Sequence, residues 1–268
     1  MNVWILYDAA RLAVNRRFAE LLQAAFSRRQ VASEVVVAES AADLADRPLP
    51  ELVVMRSVNP PLSDYFESKG TRVWNDSRVA RICNDKWETF QTLGRAGITS
   101  LPSRLVTRTE MDRDEFDFPG VIKSRNGHGG TEVFWVRNRA ELIHAFEKIG
   151  KPSAVWQFPA SDLGKDLRVY VLGKKILVGM LRESADDFRS NFCLGGRASV
   201  YPISTEVERQ VRDIADLFHF GLVGIDFVFH HGRPVFNEIE DVVGCRMVYA
   251  ETDRDMADLY AEFLLARR

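Results

Sequence analysis

The stretch GLVGIDFVFHHGRPVFNEIE, residues 221–240, constrains this chain more than any other. Two runs rich in β-branched and aromatic residues, 222–229 and 234–239, flank a turn at His231-Gly232 and predict an antiparallel hairpin. Strand alternation aims Glu238 and Glu240 at one side and Ile239 at the other. The turn brings Asp226 roughly opposite residues 237–238, so three carboxylates converge. Side by side they repel, and among apolar neighbours they are costly to desolvate. A solvated acidic edge is one way out. Hard cations with oxygen ligands, Mg²⁺ above all, are the other, and the apolar flanks favour it. His230 and His231 are adjacent and face opposite ways on a strand, so they read as turn residues rather than a metal pair.

The first 75 residues alternate strands with helices, the pattern of a parallel α/β unit. Strands are expected at 3–7, 35–37 and 52–55. A helix capped by Asn15 carries Phe18, Leu21, Leu22 and Phe26. Arg56 follows the last of these strands, where ligand groups of open α/β sheets lie; it reads equally as a ligand-binding group or a surface arginine. Residues 77–97 read as one helix with Trp87, Phe90 and Leu93 as its stripe. Further on, strands are expected at 121–123, 133–136 and 155–158, and a hairpin at 167–172 and 175–181. A helix opened by Asn138 and Glu141 carries Leu142, Phe146 and Ile149. Thr205 opens another that Gly221 ends, and the last helix covers about 253–267.

Bulk properties exclude several classes. A net charge of -2 gives no polyanion signal and disfavours nucleic-acid binding by charge. No apolar run approaches the roughly 20 residues of a membrane helix. The N-terminus lacks the pattern of a signal peptide. Cys83, Cys193 and Cys245 have no metal or redox spacing, which fits a reduced, cytoplasmic setting.

The segment SRNGHGG, residues 124–130, sits between two strands. Glycines let backbone N–H groups approach an anion closely. Lys123, just before it, supplies a point charge that reaches phosphate oxygens. The pattern GxxxxGK[ST] is absent, so the segment reads as a hairpin loop over phosphates or as an ordinary flexible hairpin.

From about residue 84 to 249 the sequence resembles the ATP-grasp family, nearest its RimK-type and glutathione-synthetase-like ligases. NDKWETFQTLGRAGITSLPS, FPGVIKSRNGHGG, VWQFPAS, GKDLRVYVLGKKILVGMLRES, DFRSNFCLGGRASVYPIS and GLVGIDFVFHHGRPVFNEIE resemble its segments in the family's order. The resemblance implies an ATP-grasp domain over 81–268, with a central lid subdomain at about 103–158 and a C-terminal subdomain at about 159–268. An α/β pre-ATP-grasp domain would occupy 1–80. It implies ATP-dependent carboxylate–amine ligation through an acyl phosphate. ATP would be held by Lys86, Lys123, Gly127, Gly129, Gly130, Gln157 and Phe158. Asp226, Glu238 and Glu240 would hold two Mg²⁺, with Mn²⁺ as the alternative ion. Arg182 and Asn191 would act at the reacting phosphoryl group, and Arg56, Arg168 and Arg189 would bind substrate carboxylates. Partners would be small-molecule or peptide acids and amines, with a homo-oligomer open. Arg168 pairing with Asp166, and Arg189 pairing with Asp186 or Asp187, are equally open. The family's metal motif usually runs Glu-x-Asn then Ser-Pro-Gly; here Glu240 replaces the asparagine and Asp241-Val242-Val243-Gly244 follows. A peptide- or protein-modifying ligase, a kinase that stops at phosphoryl transfer, and a non-catalytic nucleotide-binding regulator are the alternatives.

Overall fold

The computed structural model describes residues 1–113, 115–127, 129–184 and 197–267. Arg189, Asn191, Cys193 and His128 therefore lie outside the described residues. The described residues form an α/β fold of three sheets with helices between and around them.

The first sheet is parallel, in the order β2-β1-β3-β4, from β1 (Asn2–Tyr7), β2 (Ala32–Val37), β3 (Leu52–Met55) and β4 (Arg72–Trp74). Its central strand is buried on both faces, as parallel sheets require. Val3, Ile5 and Tyr7 pack toward α1 (Ala9–Arg28). Trp4 and Leu6 face Leu62 and Phe66 of α2 (Pro60–Ser68). Asp8, not Asn15, caps α1, accepting from Arg11 N at 2.7 Å. Asn15 lies inside the helix and donates to the Arg11 carbonyl.

The single helix expected at 77–97 is two, α3 (Ser77–Cys83) and α4 (Lys86–Arg95). The break has a local cause. The Asp85 carboxylate accepts from the N–H groups of Trp87 and Glu88, so it starts a new helix rather than continuing the old one.

The second sheet is antiparallel, β5-β8-β6-β7, from β5 (Ser103–Thr107), β6 (Gly120–Ser124), β7 (Val133–Val136) and β8 (Ser153–Gln157). α5 (Arg108–Arg113) and α6 (Arg139–Ile149) supply Met111, Leu142, Phe146 and Ile149 to its core.

The third sheet carries the chemistry. Its order is β11-β10-β9-β12-β13, from β9 (Asp162–Leu172), β10 (Lys175–Glu183), β11 (Arg197–Tyr201), β12 (Leu222–His230) and β13 (Arg233–Glu240). Period-2 alternation divides it cleanly. Leu167, Val169, Val171, Ile225 and Phe227 pack against α7 (Thr205–Ala215). Asp166, Arg168 and Asp226 occupy the intervening positions. α7 ends at Ala215, before Gly221. Gly221 is needed for space instead: a Cβ there would meet the Tyr260 hydroxyl at 2.7 Å. The C-terminal segment forms α8 (Arg246–Glu251) and α9 (Met256–Ala266), the second capped by Asp255. Tyr260 and Leu264 of α9 join the core of α1 and β1.

Candidate active site

The hairpin register puts Asp226 opposite Glu238 on one side and opposite Arg168 on the other. Asp166 faces Arg182 across β9 and β10. Directly opposite residues of a sheet are close enough for side chains to pair, and these do. Arg168 grips Asp226 in a fork at 2.7 Å for each bond. Arg182 makes a second fork to Asp166, at 2.6 Å for each bond, and reaches Asp226 Oδ2 at 2.8 Å. Arg168 also forms an ion pair with Glu240. The partner of Arg168 is thus resolved: it pairs with Asp226 and Glu240, and Asp166 belongs to Arg182.

The electrostatics follow from burial. Asp226 is 1% exposed. Burial pushes its carboxyl up, but the guanidiniums of Arg168 and Arg182 outweigh that and hold it at about 2. Burial raises Glu240, with Arg168 and Arg182 opposing. Glu238 is lowered: burial works against the shift, and Lys86, 3.3 Å away, works for it.

A bulge between Asp226 and Phe227 leaves Asn237 as an extra residue in β13. Its amide oxygen accepts from Lys123 Nζ at 3.2 Å, and Gln157 Oε1 accepts from the same ammonium at 3.1 Å. Burial lowers Lys123 to about 8. Lys86 is the first residue of α4, where a cation opposes the helix dipole at a cost of about 0.3–1 kcal/mol. Its Nζ donates to the Gly127 carbonyl at 2.6 Å. Asp85 occupies the nearby helix-end amides, so the cation at this point is the lysine side chain itself.

Two cavities meet here. One, of 130 Å³, is lined by Leu101, Val121, Lys123, Gln157, Phe158 and Leu163, among others. The other, of 220 Å³, is lined by Arg11, Asn84, Arg168, Arg182, Glu240 and Arg246, among others. Lys86, Gly127, Gly129, Gly130 and Glu238 form walls of both.

Arg56 is not brought to either cavity. It is 1% exposed, donates to the Val243 carbonyl at 2.7 Å and stacks over Phe18. The reason is tertiary: the Val243 carbonyl, far along the chain, receives the guanidinium. Sequence reasoning missed Asn84, Asp85, Arg125 and Asn237. The helix-breaking Asn-Asp pair was the readable signal for the first two. Burial raises Cys83 well above its ordinary value and Cys245 to about 12, which suits packing rather than nucleophilic chemistry.

Among the described residues, no three His, Cys, Asp or Glu side chains are grouped to hold a metal ion. Asp226 has both oxygens committed to guanidiniums. Glu238 and Glu240 are different: their side chains are 33% and 29% exposed, line the larger cavity and are hard oxygen donors. Two such carboxylates fit a divalent cation that completes its shell with phosphate oxygens.

Gly224 secures this arrangement sterically. A Cβ there would stand 2.8 Å from Val243 Cγ2 and 3.2 Å from Arg168 Cδ. Gly224→Ala is expected to cost about 1–3 kcal/mol, read as a lowered midpoint in thermal unfolding.

The RimK-like ATP-grasp domain family matches residues 83–264. The Mycoplasma genitalium protein MG011 is 30% identical over 199 residues, covering 73% of this chain and 67% of its own. A probable alpha-L-glutamate ligase of Vibrio cholerae is 28% identical over 207 residues, covering 74% and 69%. Among solved structures, D-alanine–D-alanine ligase from Bacillus anthracis complexed with ATP superposes with a TM-score of 0.76 at 15% identity, covering 99% of this chain and 97% of that one. The ATP-grasp ligase PsnB complexed with minimal precursor gives 0.70 at 17% identity, covering 100% and 99%. At such identities these two carry the fold alone. No helix among the described residues is long and apolar enough to cross a membrane.

Proposed function

The chain belongs to the RimK-like ATP-grasp family, and on that premise we propose that it joins a carboxylate to an amine at the expense of ATP, on amino-acid or peptide substrates. The observation that carries the reading is the shared wall of the two cavities, where Lys86, the glycines and Glu238 face both. The smaller cavity takes the nucleotide, its base against Leu101, Val121, Phe158 and Leu163. The phosphates lie at the shared wall, between Lys86, Lys123 and the glycine segment. The acid and the amine occupy the larger cavity, whose lining includes Arg11, Arg168, Arg182 and Arg246 beside Glu238 and Glu240. The Vibrio cholerae relative, named for glutamate, supports an amino-acid substrate.

A substrate carboxylate oxygen attacks the γ-phosphorus, ADP departs, and an acyl phosphate forms. The amine then attacks the acyl carbon and phosphate leaves, giving the amide. Arg182 faces the charge that develops on the transferring group, and Arg168, whose Nε, Nη1 and Nη2 all go to Asp226 and Glu240, holds those carboxylates in place. The glycine segment excludes water from the acyl phosphate. Mg²⁺, held by Glu238 and Glu240, neutralises phosphate charge when bound; two ions and Mn²⁺ as a substitute belong to the same proposal.

The test is ADP formation that requires both an acid and an amine, followed by mass detection of the amide. A phosphorylated product formed without amine would replace the ligase by a kinase, and a folded protein that binds no Mg·ATP would overturn the reading. Lys123 supplies a pH signature. Its free-enzyme value near 8 means that it is charged below pH 8 and neutral above. Phosphate binding favours the charged form. Nucleotide affinity is therefore expected to hold up to pH 8 and then fall by about tenfold per pH unit, measurable by calorimetry.

A further inference from the structure

Asn84, Asp85 and Lys86 occupy the break between α3 and α4, and each reaches the glycine segment. The Asn84 carbonyl accepts from Asn126 Nδ2 at 3.1 Å. The Asp85 carboxylate accepts from Arg125 Nε at 3.0 and 3.1 Å and pairs with its Nη2. Lys86 N donates to the Arg125 carbonyl at 2.9 Å, and Lys86 Nζ to the Gly127 carbonyl. Two of the three, Asn84 and Lys86, also reach the acidic hairpin and the residue that follows it. Asn84 Nδ2 donates to Asp241 Oδ2 at 2.8 Å, and Lys86 lies 3.3 Å from Glu238. The break in the helix is thus the piece that sets the distance between the glycine segment and the carboxylates.

We propose that Asp85 and Arg125 are positioning residues that clamp the glycine segment over the nucleotide phosphates. This rests on the assignment of the smaller cavity to ATP. The Arg125 fork is bidentate and mostly buried, with 27% exposure against 12% for Asp85, so it fixes direction as well as distance. Asp85 serves two ends at once, as cap of α4 and as partner of Arg125. The cap directs Lys86 toward Glu238, and the ion pair directs residues 125–127 toward Lys86. Without the pair the glycine segment keeps its strands but loses its fixed place relative to the acids.

Two substitutions separate these roles. Asparagine caps a helix about as well as aspartate, so Asp85→Asn keeps α4 and removes the ion pair. Arg125→Gln removes the pair from the other side, and Arg125→Lys keeps the charge but lacks the planar fork. Calorimetry with Mg·ADP and with a non-hydrolysable ATP analogue, together with amide hydrogen exchange at residues 125–127, is the experiment. All three variants are expected to bind nucleotide on the order of tenfold more weakly and to exchange faster at 125–127, while the thermal midpoint shifts by only a few degrees. ADP release without amide formation is expected to rise, because water reaches the intermediate. Unchanged exchange at 125–127 overturns the clamp. Faster exchange with unchanged nucleotide affinity reduces the pair to a structural tie and overturns its positioning role. A wild-type protein that binds no nucleotide overturns the assignment of the cavity instead, and exchange then still decides whether the pair holds the segment.

Discussion

Asp226→Ala is expected to destabilise the protein by about 3–5 kcal/mol, the usual consequence of removing one partner from a buried ion pair. The wild-type carboxylate satisfies two guanidiniums, those of Arg168 and Arg182. Alanine removes the carboxylate that the two buried guanidiniums share and leaves Arg168 with Glu240 and Arg182 with Asp166. For a chain of this size the midpoint of thermal unfolding should fall on the order of 10 °C. The pH dependence gives an independent check. The folded carboxyl titrates at about 2, below the unfolded value near 3.9. Its contribution is therefore fully present above about pH 4 and is lost as pH falls through 2. The stability gap between wild type and Asp226→Ala should be constant from pH 5 to 7 and narrow between pH 4 and 2. A gap that stays constant down to pH 2 would show that the ion pairs are not what the substitution removes.

Glu238→Gln is expected to keep the fold and lose the metal-dependent part of ATP binding, on the order of 100-fold in affinity. The residue lies on the shared wall of the two cavities, partly exposed, with Lys86 as its ion-pair partner. Glutamine has the same shape and one fewer negative charge, so the fold should stay intact. Calorimetric titration of ATP with and without Mg²⁺, into wild type and variant, reads the difference. Equal Mg²⁺ dependence in both proteins would move the metal away from this carboxylate. Glu240→Asn, which restores the residue usual in the family, is the informative contrast. Arg168 loses one counter-charge while an oxygen ligand remains, so Mg²⁺ dependence should persist.

Much of this site is legible in the sequence because it is written in local patterns. The hairpin of Asp226 and Glu238 follows from two β-rich runs and a His-Gly turn. The register next to the turn follows from the turn, and on its own it would set Asp226 opposite Asn237; the bulge at Asn237 is what brings Glu238 there. The glycine segment after Lys123 and the capping pattern at Asn138 are equally local. Asn15 misleads for a local reason too: Asp8, about two turns earlier, wins the cap because its carboxylate accepts from Arg11 N. The helix break at Asn84-Asp85 escapes because Val79 and Cys83 before it and Trp87, Phe90 and Leu93 after it keep a helical spacing across it.

The sequence by itself determines which residues bear charge, which strands carry them and on which face, because alternation and turn chemistry act over a few residues. It cannot say which cation each carboxylate receives. Arg168 sits two residues from Asp166 on the same face, yet its guanidinium crosses to Asp226 on the neighbouring strand. Only the sheet order decides that choice, since a long side chain pairs with whatever the adjacent strand presents. Arg56 is decided in the same way. Its place at the end of β3 is a property of the sequence, and its burial against the Val243 carbonyl is a property of the assembled fold, which gives the guanidinium a partner where an open sheet would leave it to a ligand.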